Sequence, residues 1–230
     1  MTEQDATMKV YYAPQSRAVR TVWLLEEIGL SYELEKFTLG QKEMRGPKYT
    51  SVNPNGRVPT LVDGDVTLTE STAIAQYLGA KYAPALVPET EAENFAQYLQ
   101  WLHYAEGMIM GPMGNYVVET VLLPPERRNL ELAKRALKLM GRTLGALETH
   151  MDGRTFLAGG FTVADTITGH AVIMARRLKV DFKEFPTLSA YADRLEIGLD
   201  ARGMFFSTLN DLISETNLID KSIPLFKGIS

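Results

Sequence analysis

Two short apolar runs, VPTLV (Val58–Val62) and VTLT (Val66–Thr69), flank Asp63-Gly64-Asp65. Such a pattern closes into a two-stranded hairpin, because glycine supplies the left-handed backbone that a tight turn needs. Pro59 stands at the mouth of the first strand. It has no N–H for a ladder and forces Val58 to be extended, which confines it to a strand start or an edge. The hairpin runs directly into ESTAIAQYLGAKY (Glu70–Tyr82), a helical pattern with Ala73, Ile74, Tyr77 and Leu78 on one face. Ahead of it lie a short strand, MKVYYAP (8–14), and a helix, SRAVRTVWLLEEIG (16–29), stopped by Gly29. A half-buried strand, LSYELEKFTL (30–39), and a short polar segment with weak helical character (41–52) follow. The order is βαβ and then ββα. A strand–helix–strand opening implies a parallel pair with a right-handed crossover, and the hairpin adds antiparallel strands.

The next segment, APALVPET (83–90), has two prolines and no periodicity, and reads as a linker. Everything after it has helical patterning. Residues 91–119 are rich in Ala, Gln, Leu and Met, and Gly111-Pro112 is expected to kink or break the helix there. The stretch Pro124–Gly153 opens on prolines, closes on glycine, and carries a stripe of Leu130, Ala133, Leu137, Met140, Leu144 and Leu147. TVADTITGHAVIMARRL and FPTLSAYADRLEIG are two further helices; the tail 204–230 has weak periodicity. The fold class is a small α/β domain at 8–82 joined by the 83–90 linker to an all-helical domain at 91–230, with 1–7 as an N-terminal tail.

Composition narrows the function. The chain has 230 residues, 45% of them apolar, which suits packed domains rather than disorder. A net charge of −4 argues against nucleic acid as the main partner. No apolar run approaches a membrane span, and the polar, acidic start MTEQDATMK is not expected to be a signal peptide. Cysteine is absent, so protein-borne thiol chemistry is excluded. His103, His150 and His170 lack metal-ligand spacing and read as structural or surface residues.

Three stretches, YYAPQSRAVRTVWLLEEIGLSYE, NPNGRVPTLVDGDVTLTES and FTVADTITG, match the cytosolic glutathione transferase family in order and spacing, and the chain resembles its bacterial members most. The resemblance covers the chain up to about residue 205. It implies a thioredoxin-like N-terminal domain that binds glutathione as cosubstrate and a helical domain behind it. It also implies a cis Val58–Pro59 bond that turns the backbone of Val58 outward, to pair with the cysteinyl unit of the peptide as an added strand. Ser71 would hold the γ-glutamyl carboxylate at a helix start, and Glu70 the ammonium. Read as residues alone, the same pair is a helix cap with an acid that complements the dipole. Arg57, Lys42 and Arg45 are the candidates for the glycyl carboxylate.

Conjugation needs the thiolate, whose pKa must be lowered by a donor and a helix N-terminus. Ser16 stands at that place and is the first candidate, although its position suits a plain cap equally well. Tyr11 is the second. Arg17 occupies the position that carries a cysteine in cysteine-type bacterial members, so this chain is of the non-cysteine type; Arg17 itself adds positive charge near the sulfur or holds a domain interface. Tyr104, Met108, Met110 and Met113 are the candidates for an apolar electrophile pocket, because methionine suits an adaptable cleft. Thr162 and Asp165 have capping-box spacing, and the resemblance assigns them to stability of the helical domain.

The expected function is therefore a cytoplasmic, homodimeric detoxifying transferase that joins glutathione to hydrophobic electrophiles, with no metal, nucleic acid or membrane as partner. Two alternatives stand beside it. One is glutathione-dependent reduction of peroxides or disulfides. The other is a non-enzymatic ligand carrier or protein-interaction module on the same fold.

Overall fold

β1 (Met8–Tyr12) buries Met8, Val10 and Tyr12 and leaves Lys9 and Tyr11 half-exposed, the alternation of a strand covered mainly on one face. The computed structural model to which it belongs describes residues 8–178 and 180–200. These fall into two compact units, one up to Val87 and one from Pro88 onward. The tail 204–230, for which weak periodicity was noted, and the first seven residues lie outside the described residues.

In the first unit, α1 (Ala18–Ile28) closes on Gly29 at φ 69°. The N–H of Gly29 donates to the Glu26 carbonyl and that of Leu30 to the Leu25 carbonyl, so the last turn is satisfied by a left-handed cap. β2 (Tyr32–Lys36) returns parallel to β1, pairing Met8 with Tyr32 and Tyr12 with Lys36. Pro47–Thr50 forms a single-turn helix, α2, after a 3-10 turn at Lys42–Arg45. β3 (Thr60–Asp63) and β4 (Val66–Thr69) form the expected hairpin, and α3 (Ser71–Tyr82) follows at once. Gly64 has a φ of 57°, which fits a glycine at the first central position of a two-residue turn. The sheet order is β2-β1-β3-β4, with β3 antiparallel to both its neighbours. Val10, Leu61, Trp23, Leu24, Leu25, Ile74 and Leu78 form the core under α1 and α3.

Two expectations for this unit need correcting. β2 is not half-buried by alternation: it is the sheet edge, and Leu34 is 44% exposed. On α3 the buried face is Ile74, Ala75 and Leu78, while Ala73 is exposed, because the stripe is rotated by one position toward α1.

In the second unit, α4 (Phe95–Tyr104) passes through a π turn at Ala105–Ile109 into α5 (Met110–Val117), and a second π turn spans Val118–Leu122. Gly111-Pro112 therefore does not break the helix. Pro112 stands in the first turn of α5, directly after the wider π turn, where the missing N–H and the proline ring are accommodated. α6 (Leu130–Met151) begins five residues beyond Pro125, capped by Asn129, whose Oδ1 accepts the Leu132 N–H at 3.0 Å. The expected stripe on α6 is buried from Ala133 to Leu147, but Leu130 is 42% exposed in the first turn. α7 (His170–Arg177) is entered by a third π turn, Asp165–Gly169, and α8 spans Pro186–Asp200.

Candidate functional site

The loop before β3 is built by neutral hydrogen bonds. Asn53, 1% exposed, donates from Nδ2 to the Arg57 carbonyl at 2.7 Å and to Thr60 Oγ1 at 3.0 Å, and accepts the Asn55 N–H on Oδ1 at 3.0 Å. The Tyr49 hydroxyl donates to the same Arg57 carbonyl at 2.5 Å and lies 2.8 Å from Thr60 Oγ1. Burial pushes the Tyr49 hydroxyl up from its ordinary value, so it remains a neutral donor. Gly56 has a φ of 59°, and a Cβ there would stand 2.6 Å from the Met44 carbonyl oxygen. Only glycine fits both the conformation and the approach. Asn53 and Gly56 of the NP-x-G-x-VP stretch thus each have a task in the loop, and the loop delivers Val58.

Val58–Pro59 is a cis peptide bond, as the resemblance implied. The Val58 side chain packs on the cluster of Ala13, Phe37, Met44 and Tyr49. Its backbone N–H and C=O make no backbone hydrogen bond among the described residues. They offer one donor and one acceptor to an extended peptide.

Beyond the hairpin, Glu70 has φ 68° and ψ 112°, a region that non-glycine residues enter at a cost of about 1–3 kcal/mol. Its carbonyl accepts the Ile74 N–H at 2.9 Å, starting α3, and its carboxylate is exposed. Ser71, 5% exposed, is the first residue of α3. Nη1 of Arg20 donates to the Ser71 Oγ at 3.2 Å, and Arg20 itself is fully buried on α1.

Arg17, Arg57, Val58, Pro59, Glu70 and Ser71 line one cleft. It offers two guanidinium groups, one carboxylate, a strand-like pair of backbone groups and the N-terminus of a helix. Such a set matches an extended peptide that carries an ammonium and more than one carboxylate.

Not every expected residue joins this cleft. Lys42 and Arg45 are exposed on their 3-10 turn and do not line it; of the three cations proposed for the glycyl end, only Arg57 does. Tyr11 is also elsewhere. Strand alternation turns it away from Val10 and Tyr12 into a separate groove with Phe37, Pro47 and Tyr49. Lys9 sits 5.1 Å over its ring and pairs with Glu35 at 2.6 Å.

The Ser16 hydroxyl donates to the Ala13 carbonyl at 2.7 Å and accepts the Ala18 N–H at 3.1 Å. Its proton is engaged in the turn that opens α1, leaving one lone pair unused.

In the helical unit the four pocket candidates divide. Met108 is 45% exposed and Met110 is half-buried, whereas Met113, 2% exposed, belongs to the core. The Tyr104 hydroxyl donates to the Thr143 carbonyl at 2.8 Å. Thr162 and Asp165 meet as their spacing suggests: the Asp165 carboxylate accepts the Thr162 N–H at 2.8 Å and its hydroxyl at 3.0 Å. Asp165 further accepts the Leu157 N–H at 3.1 Å and the Tyr191 hydroxyl at 2.8 Å. Burial pushes this carboxyl above its ordinary range, and the four donors oppose the shift.

Sequence reading missed Arg20, Tyr49 and Asn53 as builders of the site. Arg20 had a readable signal: it lies within the apolar face of α1, next to Val19 and one turn before Trp23 and Leu24.

The family description "Glutathione S-transferase, N-terminal domain" matches residues 6–80, and "Glutathione S-transferase, C-terminal domain" matches residues 109–196. The chain is 33% identical to glutathione S-transferase 4 of Zea mays, over 67% of this chain and 70% of that protein. It is 32% identical to glutathione S-transferase 3 of the same plant, over 74% and 78%. Among solved structures, it is similar to a theta class glutathione S-transferase of Xanthomonas axonopodis pv. citri with glutathione bound. The two share 30% identity and a TM-score of 0.75, over 83% of this chain and 93% of that one. A glutathione transferase of Pseudomonas putida, with one glutathione disulfide bound per subunit, has 26% identity and a TM-score of 0.74, over 84% and 88%.

Proposed function

This chain belongs to the glutathione S-transferase family, and from that premise we propose that it binds glutathione in its N-terminal unit, activates the thiol and conjugates it to hydrophobic electrophiles. The observation that carries the proposal is the meeting of Arg57, Val58, Pro59, Glu70 and Ser71 around one cleft. They arrive there from two segments separated by the hairpin.

The backbone of Val58 pairs with the cysteinyl unit of the peptide. The N–H and hydroxyl of Ser71, at the positive end of α3, take the γ-glutamyl carboxylate, and Glu70 takes the ammonium. Arg57 takes the glycyl carboxylate. The thiol, held near the start of α1, is deprotonated with the help of Ser16, whose hydroxyl turns from the Ala13 carbonyl to the sulfur; Arg17 adds positive charge. The thiolate then forms a C–S bond to the electrophilic carbon, which releases its leaving group or takes up a proton.

Calorimetry with glutathione tests the site. Glu70→Ala and Ser71→Ala should each lose about 1–3 kcal/mol of binding, because each leaves a ligand charge incompletely paired. Unchanged affinity in both variants removes the site from this cleft.

Glutathione-dependent reduction is the second reading. It is favoured by the disulfide held in the Pseudomonas putida relative. A panel of electrophiles, peroxides and mixed disulfides decides between the two. Family membership also supports a homodimer, and a role in detoxification in the cytoplasm. No helix among the described residues is long and apolar enough to cross a membrane.

A further inference from the structure

The Ser71 hydroxyl has a second partner on the protein side, and it is a charged one. Arg20 is 0% exposed, on the face of α1 that packs against α3, and its Nη1 donates to Ser71 Oγ at 3.2 Å. An arginine keeps its charge at any depth, and Ser71 Oγ is one of the partners that Arg20 meets there. From this geometry we infer that Arg20 is a positioning residue for the carboxylate-binding end of the cleft, acting through Ser71. The inference rests on the glutathione reading and deepens it.

Two effects follow from the placement. A hydroxyl has one proton and two lone pairs. With one lone pair taken by the guanidinium, the Ser71 proton is left to point outward, toward the place where the γ-glutamyl carboxylate would lie. The guanidinium thereby narrows the rotation of the hydroxyl and favours donation. The positive charge of Arg20 also stands directly behind that hydroxyl, in a buried region where charge is poorly screened, and adds to the field of the α3 N-terminus. Helix α1, which opens beside the proposed thiol site, thereby also governs the opposite end of the ligand.

The test compares glutathione with 4-aminobutanoyl-cysteinylglycine, which lacks only the α-carboxylate of the γ-glutamyl residue. Kd values are measured by calorimetry, directly for glutathione and by displacement for the analogue. Thermal melts of each variant check that it is folded. Arg20→Met should weaken glutathione by about 10–100-fold, the usual loss for a hydrogen bond to a charged group, and change the analogue by less than about twofold. Arg20→Lys, which keeps the charge but not the forked donor, should recover part of the loss on glutathione and leave the analogue unchanged. Equal weakening of both ligands, or no weakening of glutathione, makes Arg20 a packing residue and overturns the inference while the glutathione site stands. If Arg20→Met does not fold, Arg20→Lys decides alone: a severalfold loss confined to glutathione supports the inference, and no loss or an equal loss overturns it. Wild-type protein that binds neither ligand overturns the glutathione reading and this inference with it.

Discussion

Ser16 shows how a single hydroxyl can serve two masters only in turn. Its proton is engaged with the Ala13 carbonyl, and its oxygen holds the Ala18 N–H at the opening of α1. Donation to a sulfur anion requires the proton to leave that carbonyl, whereas the cap bond can remain. Ser16→Ala should therefore have two separable effects. Folding should lose about 1 kcal/mol from the missing cap. The bound thiol should titrate higher, with turnover at neutral pH falling about tenfold for each unit of the rise. Thiolate absorbance of the complex against pH reads the second effect, and chemical denaturation reads the first. A titration that does not move would leave Ser16 as a cap and pass thiol activation to Arg17 and the backbone. The burial of Arg20 was readable from its place in the apolar face of α1, but its partner was not: nothing local announces that its head finds Ser71, 51 residues away. Glu70 and Ser71 were legible because helix starts leave a strong local signature.

At the scale of elements, the hairpin and α3 are tied by one acid. Asp63, at the end of β3, accepts from the Tyr77 and Tyr82 hydroxyls at 2.6 Å each and from Lys81 at 2.9 Å. Burial opposes its charge, but the donors from α3 outweigh burial and hold the carboxyl below its ordinary value of 3.8. A depressed acid stabilises the folded state above its unfolded value, and the contribution is lost as the pH falls through the lower folded value. Wild type should therefore lose stability below about pH 4, with Asp63 supplying part of the loss. Asp63→Asn should cost about 1–3 kcal/mol at pH 7 and show a shallower decline below pH 4 in denaturant titrations. A decline parallel to wild type would show that the clamp is not what acid releases. Helical periodicity made α1 and α3 legible, and the Asp-Gly-Asp turn between two apolar runs made the hairpin legible. Periodicity failed on β2, which is an edge, and at Gly111-Pro112, because a π turn is set by packing across helices and leaves no period to read.

For the whole molecule, the ordered set of NP-x-G-x-VP, Glu-Ser after a hairpin and Thr-x-x-Asp carried both the fold and the place of the cleft. It did not carry the partners of the cleft's supporting residues, because Tyr49, Asn53 and Thr60 meet through three-dimensional closure rather than spacing. The proposed homodimer belongs to this scale. Light scattering at micromolar concentration should give twice the chain mass of 25.6 kDa, and a monomer there would refute it. The absence of cysteine makes the enzymatic tests cleaner, since every thiol signal in the complex belongs to the ligand.

The left-handed backbone at Glu70 sets folding against use. Glycine, with no Cβ, tolerates a φ of 68° better than glutamate does, so a glycine at this position should raise the melting temperature while removing the carboxylate. Selection for thermal robustness alone would push this position toward glycine, and, on the proposed ammonium-binding role of Glu70, selection for ligand capture would push it back. A library sorted first on heat and only afterwards on binding would discard its best binders at residue 70.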